Sequence, residues 1–296
     1  MSIQEMTAIR AALAATDRAS LSLEDTRALY ETIAPPVDPD DRTGVELLDI
    51  AGCPAEFATP EGAAGDAALL YLHGGGYCLG SLNTHRRLAW SIARAAGITS
   101  LAIDYRLAPE APFPAAVDDA LAAYRHLLDK GFAPSRIVVA GDSAGGGLSL
   151  ALMLAARDAG LPMPGAAFLI SPWVDLSNSL PTIATKAEED PMISKARLDG
   201  FTGAYMGGDD TRHPLASPLH GDLAGLPPVL IHVGAAECLL DDAVLVAGRL
   251  GAAGVDTRLE IWPDMIHVWH FFAPMLSEGR EAIARAGGWI GERLHQ

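Results

Sequence analysis

The chain has 296 residues, 50% of them hydrophobic, with a mean hydropathy of +0.20, which suits one large α/β domain and excludes a disordered chain. A formal net charge of −16 and a pI near 4.8 argue against nucleic acid or an anionic membrane surface as partner. No apolar run approaches the roughly 18 residues of a transmembrane helix, and Met1–Met6 shows no basic segment leading into an apolar one, so no stable membrane insertion and a cytoplasmic location are expected.

In chain order, Met6–Leu13 and Leu23–Ile33 carry apolar residues at helical spacing, and Pro35–Pro36 ends the second run. Residues 1–40 therefore read as an N-terminal helical block ahead of a domain at 41–296. Strand candidates follow at 45–51, 54–59, 67–73, 99–105, 135–141, 167–173, 228–234 and 256–262. Helical segments near 84–97, 115–130, 144–159, 239–252 and 279–294 separate most of them. Continuous apolar runs such as Phe168-Leu169-Ile170 and Val229-Leu230-Ile231 fit strands covered by helices on both faces of a parallel sheet. The first two strands lack an intervening helix and are expected to pair antiparallel at an edge. The last strand, 256–262, is expected to leave an open edge where a homodimer could form, unless charges such as Arg258 and Glu260 blunt it. Residues 178–216 interrupt the alternation with Pro181, Pro191, Pro214 and four glycines, and an irregular insertion of that length reads as a lid. Cys53, Cys78 and Cys238 are too few and scattered for a disulfide framework and read as packed, reduced thiols.

Two glycine-rich motifs carry chemistry. Gly141-Asp142-Ser143-Ala144-Gly145 follows the apolar run Ile137–Ala140 and leads into an Ala/Leu-rich helical stretch. A serine at the apex of such a strand-turn-helix is held strained with its hydroxyl exposed, and the flanking glycines let strand and helix approach. That is the setting of an acyl-transfer nucleophile. Upstream, Tyr71-Leu72-His73-Gly74-Gly75-Gly76-Tyr77 follows another buried strand. Successive glycines leave backbone N–H groups unobstructed, able to meet the negative oxygen that forms when a serine attacks an ester carbonyl. Gly75 and Gly76 are the expected oxyanion-hole donors, with Ala144 as the third, and His73 is expected to brace the loop. A flexible glycine hinge is the plain alternative.

A serine nucleophile needs a base, and the base an orienting acid. In doubly wound hydrolases the chain order is serine, acid, histidine, each in a loop after a strand. His267, just after the strand ending near Trp262, fits. His85, His126 and His295 fall in helical stretches, His232 lies inside a strand, and His213 and His220 precede the acid loop. His270 is one turn further on, expected within the next helix. For the acid, Glu237 closely follows Val233-Gly234, whereas Asp241 and Asp242 come a turn later and suit a helix N-terminus. Glu237 is the expected acid. The His267/His270 pair has neither an H-E-x-x-H pattern nor further ligands near it, so no metal is expected.

Together with Asp104-Tyr105-Arg106-Leu107-Ala108-Pro109-Glu110 and Ser171-Pro172-Trp173, these motifs resemble the hormone-sensitive-lipase-like esterases of the α/β-hydrolase superfamily, over most of the chain from about residue 70. The resemblance implies an α/β-hydrolase fold: an eight-stranded, mostly parallel sheet with helices on both faces, under a cap built from the N-terminal helices and the 178–216 insertion. It also implies a serine carboxylesterase acting on small, short-chain acyl esters through an acyl-enzyme, with no cofactor. One departure stands out: the family usually has Asp-Pro-Leu where this chain has Glu237-Cys238-Leu239, although some members use Glu. Arg106 and Glu110 are expected to pair and fix the loop beside the elbow, and Asp175–Asn178 to border the pocket. A lactonase or amidase with the same triad would carry the same motifs. A ligand-binding receptor on a hydrolase scaffold, as in gibberellin receptors, is disfavoured by retention of His267. A dinucleotide enzyme is disfavoured by the absence of G-x-G-x-x-G spacing.

Overall fold

Eight strands form one sheet: β1 (Gly44–Ile50), β2 (Cys53–Thr59), β3 (Ala64–Leu72), β4 (Ile98–Ile103), β5 (Ile137–Asp142), β6 (Ala166–Ile170), β7 (Val229–Gly234) and β8 (Thr257–Trp262). Their spatial order is β1-β2-β4-β3-β5-β6-β7-β8, in a computed structural model that describes residues 3–15, 21–33, 41 and 43–295. The helix stop expected at Pro35–Pro36 lies outside the described residues. β1 returns on β2 through Ala51 and Gly52, both at positive φ (54° and 86°), the left-handed pair that a two-residue hairpin favours. β2 also runs antiparallel to β4, and every later neighbour pair is parallel.

The helices are α1 (Ile3–Ala14), α2 (Leu23–Ile33), α3 (Leu82–Ala96), α4 (Ala115–Asp129), α5 (Ala144–Asp158), α6 (Pro181–Thr185), α7 (Lys195–Met206), α8 (Leu240–Ala252) and α9 (Ser277–Leu294). Period-two alternation along the strands sorts them into two layers. In β3, Ala67, Leu69 and Tyr71 pack with Leu88 and Ile92 of α3 and with Ile283 and Ile290 of α9. Ala68, Leu70 and Leu72 point the other way, toward Ala120 and Leu127 of α4 and Leu148 and Leu152 of α5. Farther along that second face, α8 places Ala243, Val246 and Leu250 against Val229, Ile231 and Val233 of β7. Because both faces are covered, the central strands tolerate unbroken apolar sequence, and each fully buried Leu or Ile contributes about 1.5–3 kcal/mol.

Two features bear on the site. Met6, Ile9 and Leu13 of α1 pack on Trp262, Met265, Ile266 and Trp269, which surround the His267 loop. β8 is a sheet edge, with Ile261 exposed beside an Arg258–Glu260 ion pair. None of the described helices is long and apolar enough to cross a membrane.

Candidate active site

Ser143 sits between β5 and α5 with φ 53° and ψ −119°. A non-glycine residue there costs on the order of 1–3 kcal/mol and persists only if its surroundings fix it. They do. Its N–H donates to Ile170 O (2.8 Å), and its carbonyl accepts from Trp173 N–H (2.9 Å) and from Gly146 and Gly147 N–H in the first turn of the helix. The neighbouring glycines permit the sharp turn. A Cβ on Gly145 would lie 2.0 Å from Leu72 O and 2.6 Å from His73 O, backbone that has no room to retreat. The elbow therefore starts directly against the glycine loop that follows β3. In-register pairing of Leu72 with Gly141 brings the two segments side by side.

That loop is rigidly held. Buried Asp142 accepts from the Tyr71 hydroxyl (2.6 Å) and Gly74 N–H (3.1 Å), tying elbow and loop together. The Tyr105 hydroxyl donates to His73 O (2.7 Å), and its ring stacks on the imidazole at 4.1 Å. Burial, with His85 nearby, pushes His73 down to about 3, so it is neutral and contacts Gly74 O through Nδ1 (2.8 Å). His73 is a brace, as its sequence position implied. Gly75 and Gly76 take φ 120° and 63°, and among the described residues their N–H groups and that of Ala144, the first residue of α5, have no hydrogen-bond partner. α7 lies over this loop: Tyr205 stacks on Tyr77 at 3.9 Å, and the Phe201 ring packs where a Gly76 side chain would be.

Glu237 follows β7 and is fully buried; His267 follows β8 and is 3% exposed. Glu237 Oε2 lies 3.5 Å from His267 Nδ1 and accepts from the Ser171 hydroxyl (2.8 Å). Ser171 Oγ in turn accepts from Val268 N–H (3.1 Å), so one hydroxyl joins the acid loop to the histidine loop. Backbone bonds from Ser171 N to His232 O, and from Ala236 N to Met265 O, complete a row of linked loops along the carboxyl ends of β5 to β8. Burial raises the Glu237 carboxyl above its usual range, with His267 and Ser171 offsetting it in part. Burial also opposes a charged imidazole, but the Glu237 carboxylate outweighs it and His267 lies above its ordinary value.

A family model for the alpha/beta hydrolase fold matches residues 69–271. The chain is 48% identical over 245 residues to an acetyl-hydrolase of Streptomyces hygroscopicus, spanning 83% of this chain and 82% of that one. It is 38% identical over 236 residues to a carboxylesterase of Mycobacterium tuberculosis, spanning 77% and 74%. A crystal structure of an esterase from the bacterial hormone-sensitive lipase family superposes with a TM-score of 0.95 and 47% identity over 99% of both chains. The chain belongs to the hormone-sensitive-lipase-like group of α/β-hydrolases. It is a hydrolase of ester bonds.

In this hydrolase Asp241 and Asp242 are engaged away from His267. Asp241 accepts from Thr182 N–H (3.0 Å). Asp242, pushed up to about 8 by burial, accepts from Val174 and Asp175 N–H (3.0 and 3.1 Å) and so anchors the loop after β6. His270 occupies a short 3₁₀ turn, Trp269–Phe272, instead of the next helix, because Pro274 intervenes before α9. There it pairs with His232 (3.1 Å). The expected Arg106–Glu110 pair does not form. Arg106 forks onto buried Asp119 (Nη2–Oδ1 2.7 Å, Nε–Oδ2 2.9 Å), a partner pre-set on α4, while Glu110 faces outward to Arg27 of α2 (2.7 Å). Of the Asp175–Asn178 stretch, Asn178 accepts from Trp173 Nε1 (3.0 Å) and donates to Thr202 of α7 (3.0 Å), so it joins the insertion to the site loops. Asp190 does the same from the insertion side, accepting from Cys238 N–H (2.8 Å) beside Glu237. All three cysteines are buried free thiols, and no cluster of three or more His, Cys, Asp or Glu able to hold a metal occurs among the described residues.

Proposed function

We propose that this hydrolase is a serine carboxylesterase acting on short-chain acyl esters through an acyl-enzyme, with Ser143 as nucleophile, His267 as base and Glu237 as its orienting acid. The observation that carries the reading is Ser143 held at φ 53° against a loop whose Gly75 and Gly76 N–H groups, with that of Ala144, are unengaged among the described residues. Ser143 Oγ attacks the acyl carbonyl as His267 Nε2 takes its proton. The oxyanion accepts from the three N–H groups, each such donor being worth roughly 10²–10³ in kcat. His267 then protonates the departing alkoxide, leaving the acyl group on Ser143. A water activated by the same imidazole releases the acid. Glu237 holds Nδ1–H and stabilises the imidazolium at each transfer.

The small-acyl assignment rests on what surrounds Gly76. The Phe201 ring packs against Gly76, Tyr205 and Trp173 pack on the neighbouring Tyr77, and the relative sharing 48% identity is an acetyl-hydrolase. The N-terminal helices and the 178–216 insertion serve as the cap, and the open edge of β8 offers a surface for pairing two copies. With p-nitrophenyl esters of increasing acyl length, kcat/KM is expected to be highest at two to four carbons and to fall by about tenfold or more by eight, since acyl fit changes discrimination by about 1–3 kcal/mol. A matched γ-lactone and p-nitroanilide, run alongside, distinguish the alternatives. Turnover of either above that of the short esters would make the protein a lactonase or an amidase instead.

A further inference from the structure

On α2, one guanidinium crosses from the N-terminal helices to the glycine loop. Arg27 donates through Nε to Cys78 O (2.8 Å), through Nη2 to Ala108 O (2.8 Å), and through both Nη atoms to Glu110 (2.7 and 2.8 Å). Cys78 belongs to the turn that defines the oxyanion loop, because Gly75 O accepts from Cys78 N–H (3.1 Å) and Leu79 N–H (2.9 Å). Ala108 is joined to the same turn through its N–H on Tyr77 O (2.8 Å). The guanidinium thus closes a ring of bonds running Gly75, Cys78, Arg27, Ala108 and Tyr77. One turn further along α2, Glu31 accepts from Ser81 Oγ (2.6 Å) and Asn83 Nδ2 (2.8 Å), where the loop runs into α3.

We infer that Arg27 is a positioning residue for the oxyanion loop: by bracing the Gly75–Leu79 turn from behind, it couples docking of α2 to stabilisation of the tetrahedral intermediate. The inference rests on the serine reading above. Arginine suits the task, since a planar fork can serve two carbonyls and a carboxylate at once, whereas a lysine ammonium cannot span them. Arg27 does not touch the reacting atoms, so its loss acts on where the Gly75 and Gly76 donors point.

The test compares unaltered protein with Arg27→Ala and Arg27→Lys. Rates are expressed per competent site, counted from the p-nitrophenyl acetate burst, and each protein is also titrated with phenylboronic acid. The boronate adds to the serine oxygen and places a tetrahedral oxyanion in the hole. For Arg27→Ala, kcat is expected to fall and the boronate Ki to rise by a similar factor, about tenfold, with KM within twofold, the pattern of an interaction felt only in the transition state. Arg27→Lys is expected to lie between the two. A merely structural arginine would lower the number of competent sites and leave kcat per site and Ki unchanged; that result, in either variant, overturns the inference. Failure of the boronate to inhibit unaltered protein would remove the serine reading and the bracing role with it.

Discussion

Ser143→Ala is expected to lower ester turnover by about 10⁵–10⁶-fold while the protein remains folded, because members of a catalytic unit act together and losing the nucleophile forfeits the whole covalent route. The residual rate would come from the oxyanion donors and substrate binding alone. Ser143 is 8% exposed, and the bonds that fix its strained backbone run through its N–H and carbonyl groups, which alanine keeps. Hydrolysis of p-nitrophenyl acetate, measured beside the thermal midpoint, separates loss of chemistry from loss of fold. Turnover within tenfold of the unaltered protein would remove Ser143 from the mechanism.

Glu237→Gln is expected to cost about 10³–10⁴-fold in kcat, since an amide can present N–H toward His267 Nδ1 and favour the wrong tautomer. The pH profile supplies a second signature. As the proposed base, His267 takes a proton only when neutral, so activity is expected to fall as pH drops through its pKa, and that pKa is raised because the Glu237 carboxylate outweighs burial. Removing the carboxylate leaves burial dominant. The acid limb of kcat/KM should therefore move to lower pH even as the plateau drops. Asp241→Asn should stay within about threefold of unaltered protein, since its carboxylate serves Thr182 N–H on the insertion and surface or remote changes are small. A crippled Asp241→Asn beside an active Glu237→Gln would reverse the assignment.

Much of this was legible in the chain. Unbroken apolar runs such as Phe168–Ile170, too short for helices and alternating with helical segments, fit strands covered on both faces, so the eight strands and the helices between them could be marked within a few residues. The strained turn at Ser143 and its packing on the Gly74–Gly76 loop were legible because so close an approach of backbones demands a fixed local pattern of glycines. What stayed hidden are contacts between distant segments. Arg106 chose Asp119, 13 residues away, over Glu110, because a buried carboxylate on α4 already faced it. Glu110 instead met Arg27, 83 residues earlier. Asp142 occupies the variable position of the serine motif, and nothing in the motif says that it holds Tyr71 and Gly74. Ser171 could be flagged as a polar residue closing a buried strand, but its link between Glu237 and Val268 exists only once β6, β7 and β8 lie side by side. The fold of the 178–216 insertion was illegible for a related reason: short pieces such as α6 and α7 take their places from partners, Thr182 from Cys238 O and Tyr205 from Tyr77.

A fluorophosphonate probe followed by peptide mass spectrometry of the active protein shows whether Ser143 is the nucleophile. A single stoichiometric adduct on Ser143 is expected, formed as esterase activity disappears and absent from Ser143→Ala. Full loss of activity with the adduct on another residue, or full activity with Ser143 modified, would rule Ser143 out as the nucleophile.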